Sequence, residues 1–277
     1  MRKYIFIIMM LALCFSYLYL SRMETGAELS VFDVGQGDAL ALRTPTGKTI
    51  VIDGGPDWSS LYGLGRWLGL TNKKIDILIL SHSHDDHIAA LPEIVSRYGV
   101  ASAYLPAHLE KPAAQSLIEN LKAASADIIY PINNTCLILE PDCSVCIYPP
   151  SSKFINSPDE NDLSLITYIN CDGLSLLSSG DAGVKREEEL IASGLDLSAK
   201  ILKASHHGSK TANSMALFEA VKPIIFLISV GNSNNYGHPS PEVLTRAMSI
   251  VLNIWETDKK GSAYFFTNNK RIYLKMP

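Results

Sequence analysis

The stretch His82-Ser83-His84-Asp85-Asp86-His87 constrains this chain more than any other. It follows directly on the apolar run Ile75-Asp76-Ile77-Leu78-Ile79-Leu80, which reads as a strand. Imidazoles and carboxylates at this density are hard to explain as ordinary surface and point to a transition-metal site. His82 and His84 are two apart, so an extended backbone aims both side chains to the same side. Asp86 and His87 fall where the chain enters a helix and can face a second, adjacent metal.

The chain has 277 residues, 47% of them hydrophobic, enough for one large α/β domain or two small ones. Its first residues stand apart. Arg2 and Lys3 precede an uncharged apolar run over residues 4–20, and Arg22 follows. That pattern predicts a secretory signal or an uncleaved membrane anchor at residues 1–24, with the domain at 25–277. Residues 18–23 offer no small-x-small cleavage signature, which favours the anchor. Leu13 before Cys14 is too bulky for a lipoprotein signal. The basic start favours a cytoplasmic N-terminus, so the domain is expected outside the cytoplasm, anchored or secreted.

Arg2, Lys3, Arg22 and Glu24 lie in that leading segment, so the remainder carries six more acidic than basic side chains. Such a domain has no global field for a polyanion. Nucleic acid would have to be held by a local patch or through the metals. Four cysteines lie beyond the leading segment, at 136, 143, 146 and 171. In an exported domain they predict one or two disulfides. Cys143-Ser144-Val145-Cys146 has metal-ligand spacing, but it falls in a strand-like run with no second such pair. It therefore reads as buried thiols or a structural disulfide.

Strand patterns recur at residues 29–34, 39–43, 49–52 and 75–80, then at 101–105, 127–129, 135–139 and 144–148. Later strands are expected at 164–170, 174–177, 200–204, 224–230, 251–255, 263–267 and 271–275. Helical patterns cover 61–70, 88–97, 117–124, 184–192 and 213–220. Ser240-Pro241-Glu242 supplies an N-cap with proline at the first helical position, so a further helix opens there. Strand-rich halves whose helices can cover an outer face predict an α/β four-layer αββα sandwich.

Polar residues recur where these strands end. Asp53-Gly54-Gly55 closes the third strand, and its carboxylate can fix the tautomer of a ligand histidine. Asp181, in Gly180-Asp181-Ala182-Gly183, can bridge two metals. Of the adjacent His206 and His207, at most one is expected as a ligand if the strand continues, and His206 is favoured. His207 then either supports the ligands from behind or transfers a proton, and His238 can project toward the mouth from Tyr236-Gly237-His238-Pro239. His108 reads as structural or exposed.

These motifs, with Asp33-Val34-Gly35-Gln36-Gly37-Asp38 and Asn161-Asp162-Leu163-Ser164-Leu165, resemble the metallo-β-lactamase superfamily in content and order. More narrowly, the pattern is similar to the extracytoplasmic hydrolase domain of ComEC-type competence proteins. The resemblance runs from residue 28 to 275. It implies a stand-alone metallo-β-lactamase fold on an N-terminal anchor, without the channel region of the full-length members. His82 and His84 are implied to hold one divalent ion, and Asp86, His87 and His206 a second, with Asp181 bridging. Most binuclear members supply a further histidine between this histidine motif and the bridging aspartate, but in that interval the chain has only His108, too early to serve. Asn161 and Ser164 match the element that this branch carries instead. The first position is then weakly held, completed by asparagine or water, or closed by a substrate phosphate. Nitrogen and oxygen donors suit Zn²⁺ or Mn²⁺ alike.

The implied activity is metal-dependent hydrolysis by a hydroxide bridging the two ions, available near neutral pH because metals lower the pKa of bound water from about 15.7 to roughly 7. Asp86, His207 and His238 are the expected catalytic side chains, the histidines serving the leaving group. A phosphodiesterase or nuclease tied to DNA uptake leads, with single-stranded DNA or another phosphodiester as substrate and the uptake machinery as partner. Lys203, Lys210 and Tyr236 are the sequence neighbours that could form a basic and aromatic rim. The alternatives are a hydrolase of another ester, lactone or β-lactam, and an anchored binding protein with a vestigial metal site.

Overall fold

Period-two alternation sorts the apolar residues of single strands onto two faces. Leu40, Leu42, Ile77 and Ile79 join a core shared with a second sheet, whereas Ala41 and Leu78 between them join a core shared with helices. The computed structural model describes residues 2–21, 26–69 and 74–275. The chain first lays down β1 (Glu28–Val31), β2 (Leu40–Arg43), β3 (Thr49–Ile52), β4 (Ile75–Ile79), β5 (Val100–Tyr104) and β6 (Asp127–Ile129). A second sheet follows, built from β7 (Thr135–Glu140), β8 (Cys143–Tyr148), β9 (Ile166–Cys171), β10 (Leu174–Ser178), β11 (Ile201–Lys203), β12 (Ile225–Ile228) and β13 (Asn253–Glu256). Then β14 (Ala263–Asn268) and β15 (Arg271–Lys275) return to the first sheet, where β14 pairs with β1.

The sheet orders are β15-β14-β1-β2-β3-β4-β5-β6 and β13-β12-β11-β10-β9-β8-β7. Pairing is parallel from β3 to β6 and from β10 to β13. Parallel neighbours need crossover connections. Helices Trp58–Leu68, Leu91–Tyr98 and Pro112–Ala123 supply them over the first sheet. Helices Val184–Ala192, Met215–Val221 and Pro241–Met248 do so over the second. One apolar cluster fills the space between the sheets and two more lie under the helices, which makes the expected four-layer αββα sandwich. Ligands of such sheets gather beyond the carboxyl ends of parallel strands. There Asp53 follows β3, His82 follows β4, Asp181 follows β10 and His207 follows β11.

Two disulfides tie β7, β8 and β9 together. Cys136–Cys146 and Cys143–Cys171 each join residues directly opposite in the antiparallel register. The Cys143-x-x-Cys146 spacing is thus split between two bridges. Near the N-terminus, Arg2–Ser21 is helical and residues 3–16 are exposed. No helix among the described residues is long and apolar enough to cross a membrane, so the expected anchor is not shown. The expected domain boundary at residues 24 and 25 lies outside the described residues.

Candidate metal centre

Two groups of donor atoms meet at one carboxylate. The first consists of His82, His84 and Asp181, and the second of Asp86, His87, Asp181 and His207. The extended backbone before the short helix Asp85–Ile88 brings His82 Nε2 to 3.0 Å from His84 Nδ1, with Asp181 Oδ2 3.8 Å from His82 Nε2. In the second group, His87 Nε2 lies 3.3 Å from Asp181 Oδ1, and His207 Nε2 lies 3.1 Å from Asp86 Oδ2 and 3.6 Å from Asp181 Oδ1. Asp181 therefore turns one oxygen to each group. His87 Nε2 and Asp181 Oδ1 are both buried without a hydrogen-bond partner. Buried polar atoms left unpaired are costly. Two of them converging, beside two imidazole nitrogens face to face, fit divalent cations held by nitrogen and oxygen.

The opposite edges of the rings are braced. Asp53 accepts from the backbone N–H and hydroxyl of Ser81, both at 2.7 Å, and from His87 Nδ1 at 2.9 Å. Because the Ser81 hydroxyl is spent as a donor on Asp53, it accepts from His82 Nδ1 at 3.1 Å. One carboxylate thus orients His87 directly and His82 through a serine, leaving each Nε2 lone pair aimed inward. His207 Nδ1 donates to the Ser229 carbonyl at 2.9 Å. His84 has the loosest brace. Its Nε2 lies 3.7 Å from Glu160 Oε2, which also accepts from Ser83 at 2.6 Å and pairs with Lys111 at 2.9 Å.

Charge follows from this crowding. Burial pushes the Asp181 carboxyl up, but His207 and His87 outweigh it and hold Asp181 well below the usual carboxylate range. Burial opposes a charge on His87, yet Asp181 and Asp53 keep it well above the ordinary imidazole value. His82 moves the other way, lowered by burial and by His87. Asp86 lies below its usual range because the hydrogen bond from His207 and the nearby His87 overcome its burial. At the mouth, burial and then the neighbouring His206 and His207 bring His238 down to about 4.

Residues 32–230 match the Metallo-beta-lactamase superfamily. The chain belongs to that superfamily. As a metallo-β-lactamase family member, it is a metal-dependent hydrolase with a His/Asp cluster suited to divalent metals. It is 23% identical to ComE operon protein 3 of Bacillus subtilis over 90% of this chain and 34% of that protein. It is 26% identical to Competence protein ComA of Neisseria gonorrhoeae over 87% of this chain and 32% of that one. The chain spans about a third of the length of these curated relatives. Among solved structures, the metallo-beta-lactamase fold protein YhfI of Bacillus subtilis superposes with a TM-score of 0.54 at 12% identity, covering 90% of this chain and 99% of that one. Igni18, a metallo hydrolase of Ignicoccus hospitalis, gives 0.56 at 16% identity, covering 87% and 100%. At these identities both comparisons show the fold.

Within this metallo-β-lactamase frame the structure redistributes several residues. His207, not His206, enters the second donor group. The sequence expectation assumed a continuing strand, but β11 stops at Lys203, and both histidines sit in a tight turn with positive φ, 48° and 52°. The turn buries His207. His206 is left 29% exposed, its Nε2 3.7 Å from Asp181 Oδ2. Both ring nitrogens of His207 are engaged, Nδ1 with the Ser229 carbonyl and Nε2 with Asp86. Lys203, expected on the rim, is fully buried and pairs with Asp38 at 2.6 Å. Lys210 is exposed, and so is His108. Ser164 accepts from the Asp181 backbone N–H at 3.3 Å, whereas Asn161 Oδ1 is buried without a partner.

Sequence reasoning missed Ser81, Glu160 and the Asp38–Lys203 pair. Ser81 directly precedes the histidine motif, so its position was the available signal. Asp38 closes the Gly35-Gln36-Gly37 turn, whose purpose is contact. Its N–H donates to the Asp86 carbonyl at 3.1 Å, and a Cβ on Gly37 would lie 2.3 Å from that same oxygen. Asp38 Oδ1 then stands 3.5 Å from His207 Nδ1.

Proposed function

We propose that this chain is a phosphodiesterase acting on single-stranded DNA or a similar phosphodiester outside the cytoplasm. The observation that carries this reading is the shared carboxylate, with Asp181 turning one oxygen to each of two adjacent donor groups. Paired cation sites of this kind suit in-line displacement at phosphorus, where charge develops on both entering and leaving oxygens. The similarity to competence proteins supports nucleic acid over a small ester, lactone or β-lactam.

In this reading His82, His84 and Asp181 hold one cation, and Asp86, His87, Asp181 and His207 the other. Bound Zn²⁺ or Mn²⁺ supplies Lewis acidity and positive charge for the phosphate oxygens. The protein's own part is orientation. Asp53 and Ser81 keep His82 and His87 in the tautomer that presents Nε2, and the Ser229 carbonyl does the same for His207. His238, lowered to about 4, is neutral at pH 7 and assists the leaving oxygen as a hydrogen-bond donor rather than as an imidazolium acid. The two disulfides support an oxidising compartment and thus export, which suits a partner in DNA uptake.

The test is the full chain, reconstituted with Mn²⁺ or Zn²⁺, on bis-p-nitrophenyl phosphate, single-stranded DNA and a chromogenic β-lactam. Phosphodiester cleavage that disappears in Asp181→Ala is the expected result. Turnover of the β-lactam alone would replace this reading with the other hydrolase class. Two bound equivalents without any hydrolysis would leave a binding protein.

A further inference from the structure

The loop between β12 and the helix Pro241–Met248 carries a feature that metal chemistry does not require. Asn234 clamps this loop. Its Nδ2 donates to the carbonyls of Gly231 at 3.0 Å and His238 at 2.6 Å, while its Oδ1 accepts from the N–H groups of Tyr236 at 3.1 Å and His238 at 3.0 Å. The far end is fastened to the histidine turn, where the Ser240 N–H donates to the Gly208 carbonyl at 2.9 Å. Pro239 packs there so closely that a Cβ on Gly208 would lie 2.7 Å from it.

On this braced loop Tyr236 is 72% exposed. Its ring stacks on His238 with centroids 5.8 Å apart and planes 25° from parallel. The His238 ring is 5.5 Å from that of His206, whose Nε2 is 3.7 Å from Asp181 Oδ2. A row of three rings therefore leads from solvent to the shared carboxylate. No other ring among the described residues contacts Tyr236, so its outer face is open. A tyrosine held this way adds nothing to the core, but it offers a planar apolar face that loses little rotamer freedom on capturing a ligand.

We propose that Tyr236 is a stacking platform for a nucleobase near the scissile phosphate, which makes an unpaired strand the preferred substrate of this site. The inference rests on the phosphodiesterase reading, which already takes single-stranded DNA as a substrate, and assigns the side chain that receives its base. Bases inside a duplex are covered on both faces, whereas a base of a single strand can splay out onto an aromatic ring. Stacking also supplies what the charge of this chain does not. With a net charge of −4 the protein has no global field to draw in a polyanion, and base stacking tolerates any sequence without such a field.

The experiment compares the full wild-type chain with Tyr236→Ala and Tyr236→Phe. The substrates are a single-stranded oligonucleotide, the same sequence as a blunt duplex, and the same strand made wholly abasic. Fluorescence anisotropy on metal-free protein gives Kd, and the metal-loaded protein gives KM. Tyr236→Ala is expected to weaken single-strand binding and raise KM about tenfold, with Tyr236→Phe close to wild type. On the abasic strand the ratio between wild type and Tyr236→Ala should fall to near one, and the duplex should bind more weakly than the single strand. An unchanged KM and Kd in Tyr236→Ala, or the same loss on the abasic strand, overturns the platform while leaving a cleaving wild type as a phosphodiesterase. A wild-type chain that cleaves no phosphodiester overturns the reading beneath it, and the platform with it.

Discussion

The two donor groups that share Asp181 are held with unequal firmness. In the second group, His87 and His207 are fully buried, and each has its outer nitrogen engaged within 2.9 Å. A buried ion pair, Asp38–Lys203, stands behind His207. In the first group, the side chain of His84 is 35% exposed, and its nearest carboxylate is equally exposed and shared with a serine and a lysine. Four donors face the second position and three face the first. The lesson concerns affinity. Ligands whose partners already fix their orientation bind a cation without losing further freedom, so the second position should fill first and release last.

Removing what the two positions have in common is the harshest way to break this comparison. Asp181→Ala should reduce metal content from two equivalents toward none, read by elemental analysis after gel filtration, and abolish turnover. Retention of one equivalent would show that the groups are independent. Asp53→Asn comes next. It removes the charge that orients His87 directly and His82 through Ser81, and outer partners of metal-bound histidines are worth about 10–100-fold in affinity. Both positions should weaken, the second more. Glu160→Gln should be milder, lowering affinity by less than about tenfold and only at the first position. Calorimetric titration that shows the weaker step shifting alone would sharpen the asymmetry, and a shift in the tighter step would reverse it.

The smallest effect is one of pH. In the metal-free chain, Asp181 and Asp53 raise His87 above its ordinary value despite its burial. The protonated imidazole therefore contributes stability that is fully present below about pH 6.5 and is lost as pH rises through the folded value. Thermal melting of chelator-treated protein should fall from near neutral pH upward. The metal-loaded chain should not follow, because the cation takes the place of that proton. Parallel curves for both forms would remove His87 from the second group.

Legibility in the sequence followed the range of the interactions. The layers were readable because period-two alternation in the strands and crossover helices between them are local patterns, while element ends shifted by up to five residues, as where the helix expected from residue 117 begins at Pro112. Ile75–Ile79 ends one residue short of Leu80, for example, although the Leu80 N–H still donates to the Tyr104 carbonyl at 3.0 Å. The disulfide partners were out of reach, since only strand register sets Cys136 opposite Cys146 and Cys143 opposite Cys171.

The same division runs through the site. By itself the sequence determined that His82 and His84 point together and that Asp86 and His87 enter a helix beside them. Both facts follow from backbone geometry over a few residues. Tertiary structure alone decided that His207 turns inward while His206 stays at the mouth, because a tight turn after β11 replaced the expected strand. Packing across the two sheets likewise decided that Lys203 is buried against Asp38, 165 residues away, instead of lining the rim. Spacing fixes which way neighbouring side chains point, but only the meeting of the two sheets fixes which of them meet.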